Sequence, residues 1–294
     1  DEMVQVSIDN GSTWTTATTS LGANTWSLAG LTLTGTNTLK VRVSDTAGNN
    51  GTASSQVYVL DTSTPTKTIT TMALSADTGT SSTDFNTKSV AQTISGTTSA
   101  NIAVGEIVEV SLNNGSSWST ATTSLAANTW SLSNVLLTGS NTLKVRVTDA
   151  AGNNGSASSQ AYVLDTSVPS TTITTMALSA DTGTSGIDFN TKTAAQTISG
   201  TTSAISVAGE IVEVSLNNGS TWNTATTSLG ANTWSLAGVT LTGTNTLKVR
   251  VSDTAGNSGT TYNQAYVFDT TAPTTTIATM ALSADSGTSG TDFN

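Results

Sequence analysis

The sequence predicts an all-β protein, a row of small sandwiches of seven strands each, and three observations carry the prediction. First, the chain repeats itself: Trp14, Trp118 and Trp222 are 104 residues apart (118 − 14 = 222 − 118 = 104), as are Trp26, Trp130 and Trp234, and Pro65, Pro169 and Pro273. Second, apolar residues alternate with polar ones in short runs, which is the period of a half-buried strand. Third, Gly, Asn, Asp and Ser clusters punctuate those runs, as turns require. A unit of about a hundred residues is far longer than a solenoid repeat, so each period is a domain of its own.

Within the period 66–169 the elements follow in order. Residues 66–74 read as the first strand, and a polar loop over 75–89 carries Asp77 and Asp84. A second strand covers 90–96. The third, 106–112, points Val108, Val110 and Leu112 to one face and Glu109 and Ser111 to the other. Asn113-Asn114-Gly115 is a tight-hairpin signal. Residues 118–123 and 128–132 give two more strands. Over 142–148, Leu143, Val145 and Val147 face inward and Lys144 and Arg146 outward, making an outer-face pair with Glu109 worth at most ~1 kcal/mol. The seventh strand, 156–164, runs into Asp165 and Pro169. Seven short strands in this length define an immunoglobulin-like sandwich. The domain division is 1–61, a partial repeat lacking its first two strands; 62–165 and 166–269, complete; and 270–294, the first strand and loop of a further repeat. Such a frame is expected of a window on a longer array.

Composition narrows the function. The chain of 294 residues has no Cys and no His, and a net charge of −10 from 19 acids and nine bases. Without these side chains, disulfides, thiol chemistry, Ser-His-Asp triads and His-bearing zinc sites are unavailable. Carboxylate pairs of the glycosidase kind remain chemically open, but carboxylates repeated in every period suit a structural device better than one cleft. No enzyme activity is expected. The acidic balance argues against nucleic acid and anionic membrane, and no stretch approaches the ~20 apolar residues of a membrane-spanning helix.

Three segments resemble a known family. Val-Ser-Asp45-Thr-Ala-Gly-Asn, Leu-Asp165-Thr-Ser-Val-Pro169 and Ser-Ala-Asp77-Thr-Gly-Thr-Ser-Ser-Thr-Asp84 are similar to the bacterial Ig-like tandem repeats of giant type I-secreted surface adhesins and biofilm-associated proteins. The resemblance covers every period. It implies a secreted chain at the bacterial surface, a stalk whose partners are the neighbouring repeats, and Ca²⁺ at the domain junctions.

The acids can be placed by strand direction alone. Successive strands run up and down, so Asp77 and Asp84 belong to the pole where Asp165 leaves the domain. Asp253 and Glu210 belong to the pole of the next domain facing the same linker. The corresponding set at Asp61 is Asp149 and Glu106, and at Asp269 it is Asp181 and Asp188. Oxygen ligands alone favour Ca²⁺, and clustered carboxylates without nearby Lys or Arg repel one another unless a cation intervenes. The competing reading is that these side chains cap turns, a role Asp fills well; for Glu106 and Glu210 a plain surface role is the simpler one.

Other features have structural readings. Ser7-Ile-Asp9-Asn-Gly11-Ser-Thr13-Trp14 matches the Asp-box hairpin, with Asn113 and Asn217 in place of Asp9 in the later repeats. The six Trp residues are expected as core filler, and Thr-rich strands as ordinary solvated faces. Besides a stalk, two functions stay open: lateral self-assembly into a fibre, sheath or surface layer, and carbohydrate or matrix binding by the repeats.

Overall fold

A computed structural model describes residues 1–294 except 21, 125–126, 205–207, 229, 285, 287 and 290–294. It divides into two compact units, Asp1–Asp165 and Thr166–Asn294. All regular structure among the described residues is β.

The complete repeat of the first unit is a two-sheet sandwich. One sheet has the strand order Thr122–Thr123, Thr129–Leu136, Ala91–Thr98, Ile69–Leu74. The other runs Ser119–Thr120, Ile107–Ser111, Asn141–Thr148, Ser158–Leu164, Asn86–Thr87. Val108, Val110, Leu143, Val145 and Val147 point inward from the second sheet and meet Ile94 and Trp130 from the first. The alternation predicted for 106–112 and 142–148 is found at Val108, Val110, Leu143, Val145 and Val147, in the register Glu109↔Arg146 and Val110↔Val145, although Ser111, expected on the Glu109 face, is buried as well.

Two elements differ from the expectation. The run 118–123 is not one strand: Ser119–Thr120 pairs with the second sheet and Thr122–Thr123 with the first. Ala121, buried between them, is the point at which the chain crosses from one sheet to the other. The loop 75–89 also holds a short strand, Asn86–Thr87, parallel to Val163–Leu164. Two polar residues carry no period-2 signal, which is why this edge strand escapes a sequence reading.

The second unit repeats the plan, with Ile173–Leu178, Ala195–Thr202, Thr233–Thr240 and Thr226–Thr227 in one sheet. The described part of segment 270–294 forms no strand, unlike the first strand expected there. Its apolar positions are solvent-exposed, Ile277 at 82%. In the preceding repeats this strand pairs with Ala91–Thr98 or Ala195–Thr202.

Residues 1–61 form one four-stranded sheet, Thr15–Thr16, Glu2–Ser7, Thr36–Asp45, Ser54–Val59, and the ribbon of Thr18–Thr19 with Trp26–Ser27. Val43 is 43% exposed where its equivalent Val147 is at 0%, and Trp26 is 44% exposed where Trp130 is at 2%.

Candidate metal centre

The loop after strand Ile69–Leu74 is organised by its own side chains. Thr87 Oγ1 donates to the Ala76 carbonyl at 2.6 Å, and Gln92 Nε2 donates to the same oxygen at 2.9 Å. Asp77 Oδ2 accepts the Phe85 N–H at 2.9 Å, and Asp84 Oδ1 accepts that of Asn86 at 3.0 Å. The other Asp77 oxygen, Oδ1, is buried with no hydrogen-bond partner. Burial pushes the Asp77 carboxyl above its ordinary range, and the adjacent Asp84 charge adds to the rise. The Asp165 N–H donates to the Thr87 carbonyl at 3.0 Å. Asp77, Asp84 and the exit residue Asp165 therefore share one pole, where strand direction puts them.

The second unit reproduces this pole. Asp181 Oδ2 accepts from Phe189 at 2.9 Å, Asp188 Oδ1 from Asn190 at 3.0 Å, and Asp181 Oδ1 is again buried without a partner. Asp269 donates its N–H to the Thr191 carbonyl at 3.0 Å and accepts the Thr271 N–H at 2.7 Å. The backbone and side-chain bonds from Thr271 hold its carboxyl below the usual range.

At the opposite pole of repeat 62–165, Asp149 caps the turn that follows strand Asn141–Thr148. Its Oδ1 accepts the N–H groups of Ala151 and Asn153 at 2.9 and 2.8 Å, and its Oδ2 accepts Asn153 Nδ2 at 2.9 Å. The same Nδ2 donates to the Asp61 carbonyl at 2.9 Å, tying the linker to this turn. The Asp61 carboxylate faces its own chain, accepting the Ser63 N–H at 2.9 Å. Gly155 packs so close to Pro65 that an added Cβ would lie 3.0 Å from the Pro65 carbonyl oxygen.

Glu106 departs from the expectation of acids without nearby bases. Lys67 Nζ lies 2.7 and 2.6 Å from its two carboxylate oxygens, and the Ala103 N–H donates to Oε2 at 2.8 Å. Burial pushes the Glu106 carboxyl up, but the Lys67 and Ala103 hydrogen bonds outweigh it and hold the group below the usual range. Asp149 is close enough to act on Glu106 as a like charge. In the second unit Glu210 Oε2 accepts the Thr171 hydroxyl at 2.9 Å, and Asp253 caps its turn through Ala255 and Asn257.

Among the described residues no three acidic side chains converge within one metal shell. The donor set still suits a hard cation in one respect. Each first loop holds paired carboxylates with a buried, unpartnered oxygen, and turn-capping uses only part of the roughly four acceptor positions of a carboxylate. Glu106, with both oxygens on an ammonium, does not share that property.

The remaining motifs are structural. Asp9 accepts the Ser7 hydroxyl at 2.6 Å and the Thr13 N–H and hydroxyl at 2.8 and 2.6 Å, closing the hairpin; Asn113 Oδ1 accepts the Ser111 hydroxyl and the Ser117 N–H, while its Nδ2 donates to the Ser117 hydroxyl at 2.8 Å. Asn114 and Gly115 both adopt left-handed backbone, at φ 58° and 94°, as the Asn-Gly signal predicts. Only part of the tryptophan set is core. Trp130 and Trp234 are buried, whereas Trp118 lies half-buried on the outer face under Arg146, 4.0 Å from the ring centre. Trp14 and Trp222 stack likewise with Arg42 and Arg250. Arg146 also pairs with Glu109 at 2.8 Å, the cross-strand pair expected from the register.

A family model described as a bacterial Ig-like domain matches residues 63–166 and 167–270, and a second bacterial Ig-like model matches 2–62. No curated protein matches the chain. Among solved structures, the chicken CNTN1 FN1–FN3 domains are 12% identical, with 90% of this chain and 91% of that one covered, at a TM-score of 0.39. The fibronectin(III)-like modules of Clostridium thermocellum CbhA are 15% identical, with 67% and 94% covered, at 0.38. A structure from a 1.5-MDa bacterial ice-binding adhesin is 20% identical, with 91% and 85% covered, at 0.30. Similarity at these levels bears on neither ligand nor role.

Proposed function

Because the chain belongs to the bacterial Ig-like domain family, we propose that it is a stalk segment of a bacterial surface adhesin, a secreted, non-enzymatic spacer stiffened by Ca²⁺. The observation that carries the reading is the docked linker of the first unit. Asn153 holds the Asp61 carbonyl, and the Gly155 backbone packs against Pro65, so the connection is built into the following repeat. A linker with its backbone bonded in this way loses the freedom of a flexible tether. Side-chain chemistry supports calcium in the first loops. Asp77 with Asp84, and Asp181 with Asp188, pair carboxylates beside a buried oxygen that has no partner. A hard divalent cation there would satisfy that oxygen and cancel the repulsion.

Small-angle scattering and thermal melting, each in Ca²⁺ and in chelator, test both parts. The expected result is a monomeric, elongated particle that melts earlier and loses maximum dimension in chelator. If neither quantity changes, calcium stiffening is wrong. Association of chains through lateral interfaces of about 1,000 Å² or more would replace the stalk with the self-assembly reading.

A further inference from the structure

Lys67 occurs in one repeat only. The equivalent position 104 residues on is Thr171, and the next is Thr275. The lysine reaches across from the linker side to hold both oxygens of Glu106, and both side chains are largely shielded from solvent. Asp149 stands close by with its oxygens on the Asn153 backbone and amide, and the amide continues to the linker carbonyl of Asp61. At the pole where the linker enters repeat 62–165 there are thus two contact sets, Lys67 with Glu106 and Asp149 with Asn153 and Asp61, the two carboxylates being close enough to act on each other as like charges. In the second unit the side chain at the place of Lys67 is Thr171, whose neutral hydroxyl donates to Glu210. Among the described residues of that unit no ion pair to Glu210 is found, and Arg250 pairs with Glu213 instead.

We propose that Lys67 is a tethered counter-ion: its ammonium occupies at Glu106 the place of a free divalent cation, making the entry pole of repeat 62–165 independent of dissolved metal. Calcium bonds to carboxylate oxygens at about 2.3–2.6 Å. An ammonium already at 2.6–2.7 Å from both oxygens leaves no room for that ion, and two cations at such separation repel strongly. A covalently attached cation also cannot be diluted or chelated away. Replacing it by threonine, as the next repeat does, leaves Glu106 and the nearby Asp149 with uncompensated like charge. The inference rests on the calcium reading only in identifying the ion that Lys67 displaces.

Hydrogen–deuterium exchange on the full chain, in chelator and in millimolar Ca²⁺, tests it with the variants Lys67→Thr and Thr171→Lys. In the unsubstituted chain, amides around 103–106 and 149–153 are expected to exchange at the same rate in both conditions. In Lys67→Thr they exchange about tenfold faster in chelator, as loss of a charge-assisted hydrogen bond implies, and Ca²⁺ restores the slow rate. Thr171→Lys makes the amides around Glu210 indifferent to Ca²⁺, and it decides the matter should Lys67→Thr not fold. A calcium response around Glu106 in the unsubstituted chain overturns the proposal. So does a Lys67→Thr chain that is unaffected by chelator, or one that Ca²⁺ cannot restore. Peptides spanning Asp181 and Asp188 in the same samples report separately on the first-loop calcium. If they ignore Ca²⁺ while Lys67→Thr behaves as expected, the stalk's calcium fails and the tethered ion stands.

Discussion

Gly96→Ala should destabilise repeat 62–165 by about 2–3 kcal/mol, although it adds a single methyl group. Gly96 sits in the middle strand of its sheet, opposite Met72 on one side and Trp130 on the other. A Cβ there would collide with the Thr71 carbonyl and stand 2.6 Å from the Trp130 ring. Overpacking a core costs about 1–3 kcal/mol, and the upper part of the range applies because one of the colliding atoms is backbone and cannot rotate away. For a domain near a hundred residues this lowers the midpoint by roughly 10–20 °C, at about 4–8 °C per kcal/mol. Calorimetry of the full chain is the assay. Gly200→Ala should do the same to the second repeat, since its Cβ would lie 2.7 Å from Trp234. Gly186→Ala, with nothing within 4 Å of its Cβ, is the control and should be nearly neutral. Combining Gly96→Ala with Trp130→Leu separates ring from carbonyl, and a coupling of about 1 kcal/mol or more between the two is expected. A Gly96→Ala chain melting within a few degrees of the parent refutes the close-packing argument.

Three further outcomes are expected. Asn153→Ala removes the amide shared by Asp149 and Asp61, so limited proteolysis should cut the 61–65 linker faster, with about 1 kcal/mol lost from the repeat. The Ser7 hydroxyl, with the Thr13 hydroxyl and N–H, lowers the Asp9 pKa from 3.8 to about 2; because the folded value is depressed, the hairpin's contribution is full above 3.8 and fades as pH falls toward 2. Amide chemical shifts of residues 7–14 should follow that titration, and Asp9→Asn should abolish it, as the Asn113 and Asn217 hairpins already lack the group. Asp77 has the opposite sign: burial and then Asp84 raise its folded pKa, so ionising it opposes folding at neutral pH, and Asp77→Asn should raise the melting point in chelator while removing any gain from Ca²⁺ at that loop.

Much of the fold is legible because one period does two jobs. In 106–112 and 142–148 every second residue is apolar, and burial of those side chains sets which face turns inward, so strand, register and the Glu109–Arg146 pair all follow. The poles of Asp77, Asp84 and Asp165 follow as well, since strand direction needs only a count of strands. Trp118 and Trp130 show where this logic stops. Trp130 lies within strand Thr129–Leu136 and fills the core, whereas Trp118 just precedes Ser119–Thr120 and lies under an arginine outside.

The sequence by itself determined the repeat, the sandwich and the poles at which acids gather, because these depend on local period and chain direction. Only the tertiary structure decided how each acid is compensated. Lys67 and Glu106 are 39 residues apart and meet across two elements, and the Asn153 amide reaches Asp61 over 92 residues. No local pattern encodes such pairs, since a charge is satisfied by whatever the packed chain brings within three ångströms of it. The Lys67-to-Thr171 change is visible in the sequence, but only the folded chain shows that it falls on Glu106 in one repeat and on Glu210 in the other.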